Sequence, residues 1–295
     1  MSIFDIFRKK SNNSELYAAV KSLERCEIQI IPKKNGKVAH PSNSKIGGKP
    51  YLPRDFAWPT YTCTEENITR PLSFFCQINL SDIKPYDKNG LLPEQGMLYF
   101  FYECESFRWG FDPSDDGAAR VFWYDTAASS DFAPIDIPSE IANEYVIPEI
   151  AVQFKARSSY PGFEEFDVIN GGEYDCDDYD EVLASLGVDI DNDPEDHKLL
   201  GYADIIQSEM LTECERVSRG LDCGSPESYQ STPEDTEADI IKCSADWTLL
   251  LQLSTISKGD FEFMFGDCGM IYFYIRKDDL AAGRFDKVRF SVQCG

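Results

Sequence analysis

The sequence predicts an α+β, β-rich fold made of two related, mostly antiparallel β halves packed into one compact unit with few helices. Three observations carry that prediction. Gly96-Met97-Leu98-Tyr99-Phe100-Phe101-Tyr102 recurs as Gly269-Met270-Ile271-Tyr272-Phe273-Tyr274-Ile275, each a glycine ahead of an aromatic and aliphatic run, as in a buried strand entered through a tight turn. A glutamine set in an apolar run precedes each copy: Gln77 lies 19 residues before Gly96, and Gln252 lies 17 before Gly269. At 295 residues, 42% hydrophobic and 13% aromatic, the chain has enough apolar side chains for a sizeable core.

Residues 1–10 read as a leader whose basic residues follow its apolar ones, the reverse of a signal peptide. Leu16, Ala19, Val20 and Leu23 recur at helical spacing behind Asn12 or Asn13 as N-cap, which predicts a helix over about 13–26. Glu27-Ile28-Gln29-Ile30-Ile31 alternates as a strand, closed by Pro32 and the turn at Lys33-Lys34-Asn35-Gly36. Gly47, Gly48, Pro50 and Pro53 then make a loop that is irregular yet rigid. Lys45 and Lys49 beside the glycines suggest an anion loop, but a phosphate cradle needs a helix directly after it, which the prolines oppose. Packing of a rigid loop is the stronger reading. Residues 71–80 form a nearly continuous apolar strand, and its Gln77 needs amide partners, because an unpaired buried polar group costs about 1–3 kcal/mol. Gln252 has the same need. Two amides stitching nearby backbone is the simpler reading, and a ligand contact is the alternative. Arg120-Val121-Phe122-Trp123-Tyr124 is a further strand, followed by a proline-punctuated crossing at 135–138.

The middle changes character. Residues 173–196 hold 11 acidic residues and no lysine or arginine, with Val182, Leu183 and Leu186 as one face of a short helix. Asp189-Ile190-Asp191-Asn192-Asp193 imitates a calcium loop but fails at Pro194, where glycine is needed, and at Leu200, where a bidentate glutamate is needed. Lys198-Leu199-Leu200-Gly201 echoes Lys45-Ile46-Gly47-Gly48 and likewise precedes a glutamine strand. Residues 208–217 fit either a strand or a short helix, and 220–239 read as an exposed, mobile loop. Strands follow at 247–253, 261–265 and 288–294, with one helical turn at 277–283. The expected organisation is a leader and helix (1–26), a first half (27–150) and a second half (151–295).

The net charge of −24 disfavours nucleic acid and anionic membranes as partners. No window reaches 18 apolar residues, and none of the ten cysteines forms a C-x-x-C pair, so the chain reads as cytoplasmic with reduced thiols. Cys76 sits in an apolar strand as a small hydrophobe. His40 and His197 are the only histidines, and no metalloprotease, nucleophile-elbow, P-loop, dinucleotide or deaminase pattern occurs. Neither metal nor cofactor is expected. Asp267, in a turn at a strand entrance, is the one acid singled out, with an Asx-turn bond as its simpler role.

These stretches resemble the YwqG-like family. Lys45 through Pro53 with Trp58-Pro59, residues 71–80 and residues 96–101 are similar to its first half. Residues 200–207, 247–252 and 266–273 are similar to its second half, so the likeness covers roughly 30–295. It implies a bacterial, intracellular protein without a characterised activity and a link to toxin–immunity gene neighbourhoods. Cys268 departs from the small residue usual in that family, which makes it a packing substitute rather than a nucleophile.

The expected function is non-enzymatic binding of a basic protein by the acidic surface, in an immunity-type or regulatory role. The alternative is a small-molecule binder or hydrolase with its site at the seam between the halves, near Lys45, Gly47, Gly48, Trp58, Gln77, Gly201, Gln252 and Asp267. A polar-lined pocket at the seam favours that alternative, and a seam filled by aromatics opposes it. A purely structural or oligomerising role is the third reading.

Overall fold

A computed structural model describes residues 13–126, 131–171, 174–189 and 197–295. The chain is β-rich. Among the described residues, ten strands form one antiparallel sheet, accompanied by three short two-stranded sheets and eight α-helices. In chain order the large sheet holds β1 (Arg25–Pro32), β2 (Lys45–Ile46), β6 (Ser73–Asn79), β7 (Met97–Tyr102), β8 (Ala119–Tyr124), β10 (Ile150–Ser159), β11 (His197–Leu200), β12 (Trp247–Leu253), β15 (Met270–Arg276) and β16 (Arg289–Gln293). In space the order is β16-β15-β12-β11-β1-β10-β2-β6-β7-β8. β1 and β10 therefore lie at the centre, with four strands from either half on each flank.

The sheet curls until its flanks meet, nearly closing a barrel. Phe100 of β7 lies edge-on to Phe273 of β15 at 5.2 Å, and Trp123 of β8 approaches Phe285, just before β16, at 6.4 Å. β7 and β12 are buried along their whole length, which is why they read as unbroken apolar runs rather than alternating ones. Across the seam, Phe75 packs on Phe263 and Phe265, and Tyr102 packs on Phe290. Each such ring, fully buried, contributes about 1.5–3 kcal/mol.

The helices are α1 (Asn13–Ser22), α2 (Leu80–Ile83), α3 (Phe163–Asn170), α4 (Cys176–Ser185), α5 (Leu211–Ser218), α6 (Pro226–Ser231), α7 (Glu234–Ser244) and α8 (Lys277–Ala281). Leu16 and Val20 of α1, Phe166 of α3, and Tyr179, Val182 and Leu183 of α4 form a separate apolar cluster. The acidic segment is thus docked by its apolar residues, with Asp175 capping α4 through the Asp177 N–H.

Two expectations are corrected. The first helix ends at Ser22, because Arg25 and Cys26 pair with Ser159 and Ser158 and join β1. The stretch 220–239 is mostly helical rather than a mobile loop. Ser225 caps α6 with Pro226 in its first turn, and the fully buried Arg216 of α5 holds the excursion through Glu237, Ser228 and Thr232 while stacking on Tyr229 at 3.8 Å. The ambiguity at 208–217 resolves as α5. The leader and the core of the calcium-loop imitation (190–196) lie outside the described residues. No helix among the described residues is long and apolar enough to cross a membrane.

Candidate binding cavity at the seam

The predicted site residues fall into two groups that do not converge. On the first flank, Lys45 stands opposite Gln77 in the β2–β6 register, and Gln77 stands opposite Tyr99. The Gln77 carbonyl oxygen accepts the Tyr51 N–H at 2.8 Å, while its amide nitrogen donates to the Pro41 and Asn43 carbonyls, each at 2.8 Å. Tyr99 donates its hydroxyl to the Tyr51 carbonyl. On the other flank, Lys198 stands opposite Gln252, and Gln252 opposite Tyr272. Gln252 accepts the Asp204 N–H at 2.9 Å and donates to the Asp204 carboxylate at 2.6 Å, and Tyr272 donates to the Asp204 carbonyl. A bulge interrupts the register between Phe74 and Cys76 on one flank and between Leu249 and Leu251 on the other.

These groups are closed. Lys45, 2% exposed, is ion-paired with Glu149 and donates to the Lys49 carbonyl, while Lys49 pairs with Asp136. Lys198, equally buried, lies 2.6 Å from Asp204 and 3.3 Å from Glu27. A Cβ on Gly47 would sit 2.5 Å from the Ile147 carbonyl oxygen at a φ of +60°, so backbone fills the space an anion would need. Gly48 is packed against Glu149 and Gly201 against Glu27. Trp58 donates to the Leu72 carbonyl at 2.8 Å and packs on Phe101. Asp267 is exposed, and its backbone carbonyl takes the Gly295 N–H at 2.9 Å. The pairing of Lys45, Lys198, Gln77, Gln252 and Trp58 with neighbouring groups opposes the anion-loop and ligand-contact readings of these residues.

The open space lies elsewhere on the seam. A cavity of about 670 Å³ is walled on the first-half side by residues 89–93 and Trp123, and on the other by Arg25 and Cys26 of β1, Thr248 of β12, and Lys277 and residues 280–283 around α8. Of the predicted residues only Gly201 borders it. Leu91, Leu92, Pro93, Trp123, Leu280 and the alanines 281 and 282 make its wall apolar. Arg25 and Lys277 are the only charged residues in the lining.

Their surroundings set their chemistry. The Arg25 guanidinium stacks 4.0 Å from the Tyr202 ring and donates to the Thr248 hydroxyl at 3.4 Å. Lys277 is exposed as a residue, yet its ammonium nitrogen lies 2.7 Å from the Ala245 carbonyl, and enclosure there, reinforced by Arg25, holds its pKa below the ordinary lysine value. Among the described residues neither cation makes a salt bridge to a carboxylate. Glu165 of α3 is buried nearby, and burial pushes its carboxyl up to about 7 against the opposing pull of Arg25, Lys198 and Lys277. One Glu165 oxygen and the Tyr274 hydroxyl are buried without a hydrogen-bond partner. Sequence reasoning passed over Arg25, Thr248, Glu165 and Lys277 because each is unrepeated and sits in an ordinary strand or helix pattern.

Residues 44–294 match a family described as a domain of unknown function (DUF1963). No curated protein matches the chain.

Proposed function

We propose, for a chain that belongs to the DUF1963 family, that the protein binds a small molecule with an apolar body in the seam cavity. One observation supports this above the others: a cavity of about 670 Å³, within the size range of ligand sites, combines apolar walls with a few convergent polar groups. The aromatic packing across the seam opposes a site in the barrel interior and leaves this margin as the open part. A plug variant tests the reading. Ala281 is exposed on α8 and lines the cavity, so Ala281→Trp narrows the site without disturbing the core. An apolar fluorescent dye should bind the parent chain one-to-one and the plugged chain at least about tenfold more weakly. Equal binding by both would remove the cavity from consideration.

Binding of a basic protein is the second reading, and one feature favours it. α4 turns Tyr179, Val182 and Leu183 inward and leaves Asp177 and Glu181 exposed, giving an acidic outer face. Salt-sensitive capture of a basic protein, lost on replacing those acids, is the expected result, and salt-independent association would count against it. An immunity-type role, the narrower YwqG-like placement, a bacterial source and a cytoplasmic location belong to the same proposal, supported by ten free cysteines and the acidic balance. Descent of the two flanks from one duplicated unit is likewise a proposal, supported by the matched Lys–Gln–Tyr registers, the paired bulges and the left-handed pairs Gly47-Gly48 and Leu200-Gly201.

A further inference from the structure

We propose that the seam cavity selects an aliphatic carboxylate, its chain lying along Leu91, Trp123 and Leu280 and its head held between Arg25 and Lys277. The inference rests on the cavity being a ligand site and adds the chemical class of the ligand.

The chain carries 52 acidic residues against 28 basic ones, so a half-enclosed cation has carboxylates in excess to pair with. The buried cations follow that expectation: Lys45 has Glu149, Lys198 has Asp204 and Glu27, and Arg216 has Glu237. Arg25 and Lys277 do not, although they line one cavity and oppose each other's charge strongly enough to help lower the Lys277 pKa. Glu165 is a buried acid whose carboxyl burial pushes up, and among the described residues it makes no salt bridge to either cation. Asp246 and Glu165 act on Lys277 only at longer range, and two cations in an apolar wall with no direct salt bridge among the described residues are stabilised by an anion that enters with its own apolar body. A guanidinium offers a planar pair of N–H donors that fits a carboxylate, and the Thr248 hydroxyl, already bonded to Arg25, is within the same lining. The head supplies charge, and the chain supplies burial of about 25 cal/mol per Å² of apolar surface.

Calorimetric titration of the full chain with decanoate, decanol, decylamine and decyl phosphate decides the matter. Decanoate should bind one-to-one and at least about tenfold more tightly than decanol, and decylamine should not bind. Lys277→Gln should remove that preference, and Lys277→Arg should restore it. Lys277 serves as the first variant because Arg25 also packs on Tyr202, so Arg25→Gln is read only alongside a thermal unfolding curve that matches the parent. Decanol binding as tightly as decanoate would overturn the carboxylate proposal and leave the cavity reading standing. Decyl phosphate binding clearly more tightly than decanoate would overturn the choice of head. Binding of none of them, with the apolar dye also unbound, would overturn the cavity reading itself.

Discussion

The Lys–Gln clusters on the two flanks and the cavity at the seam are built from the same kinds of residue and behave oppositely. In the clusters each cation meets a carboxylate and each glutamine amide is spent on nearby backbone or, for the Gln252 nitrogen, on the Asp204 carboxylate, so the polar groups act as stitches in a packed sheet. In the cavity two cations face open space without such partners. The difference teaches that the residues this chain repeats hold its fold, and the residues it uses once are left to meet something else. The cluster residues are buried, whereas Arg25 is half-buried and Lys277 exposed, and completeness of pairing follows the same division.

The sharpest way to break the comparison is to empty a stitch. Gln77→Ala leaves the Tyr51 N–H and the Pro41 and Asn43 carbonyls short of partners in a fully buried site, and the expected loss is about 4 kcal/mol in urea unfolding, with Gln252→Ala similar. Lys277→Gln in the cavity should change stability by no more than about 0.5 kcal/mol. Comparable losses at both places would erase the distinction.

Next in size is the buried acid behind the cavity. Because the Glu165 pKa rises from 4.5 to about 7 on folding, the folded state binds the proton more tightly between those values, and stability falls as pH rises through that window. Glu165→Gln should therefore stabilise the protein by about 3 kcal/mol at pH 8 and by nothing measurable below pH 4.5. A parent and variant with parallel stability–pH curves would mean that Glu165 is not enclosed as described.

A smaller contrast concerns two glycines with nearly equal φ. Gly47→Ala meets the Ile147 carbonyl and should cost about 3 kcal/mol, whereas Gly283→Ala, with nothing within 4 Å of its Cβ, should cost about 1 kcal/mol. Equal thermal shifts would show that the loop around Gly47 yields. The smallest effect is kinetic. Cys26 lines the cavity and Cys268 is exposed away from its lining, so decanoate should slow alkylation of Cys26 several-fold and leave Cys268 unchanged, read by peptide mass spectrometry.

Much of the scaffold was legible in the sequence. Gly96 and Gly269 announce β7 and β15 because a strand buried on both faces must be apolar throughout, and Gln77 and Gln252 stand out against that background. The helices at 226–244 were not, since their polar composition resembles a loop until Arg216, distant in sequence, supplies the anchor. The cavity was invisible for a related reason. Arg25 begins an ordinary strand and Lys277 an ordinary helical turn, and only the curl of a ten-stranded sheet brings them to one wall. Gly201 was found because it belongs to a repeated motif, not because it borders the cavity.

The most direct test is an amide-resolved NMR titration of the full chain with decanoate. Shifts should concentrate at Arg25, Cys26, residues 89–93, Thr248, Lys277 and residues 280–283, with Gln77 and Gln252 and their neighbours still. Shifts centred on the Lys45–Gln77 or Lys198–Gln252 clusters, with the cavity lining unmoved, would contradict binding in the cavity.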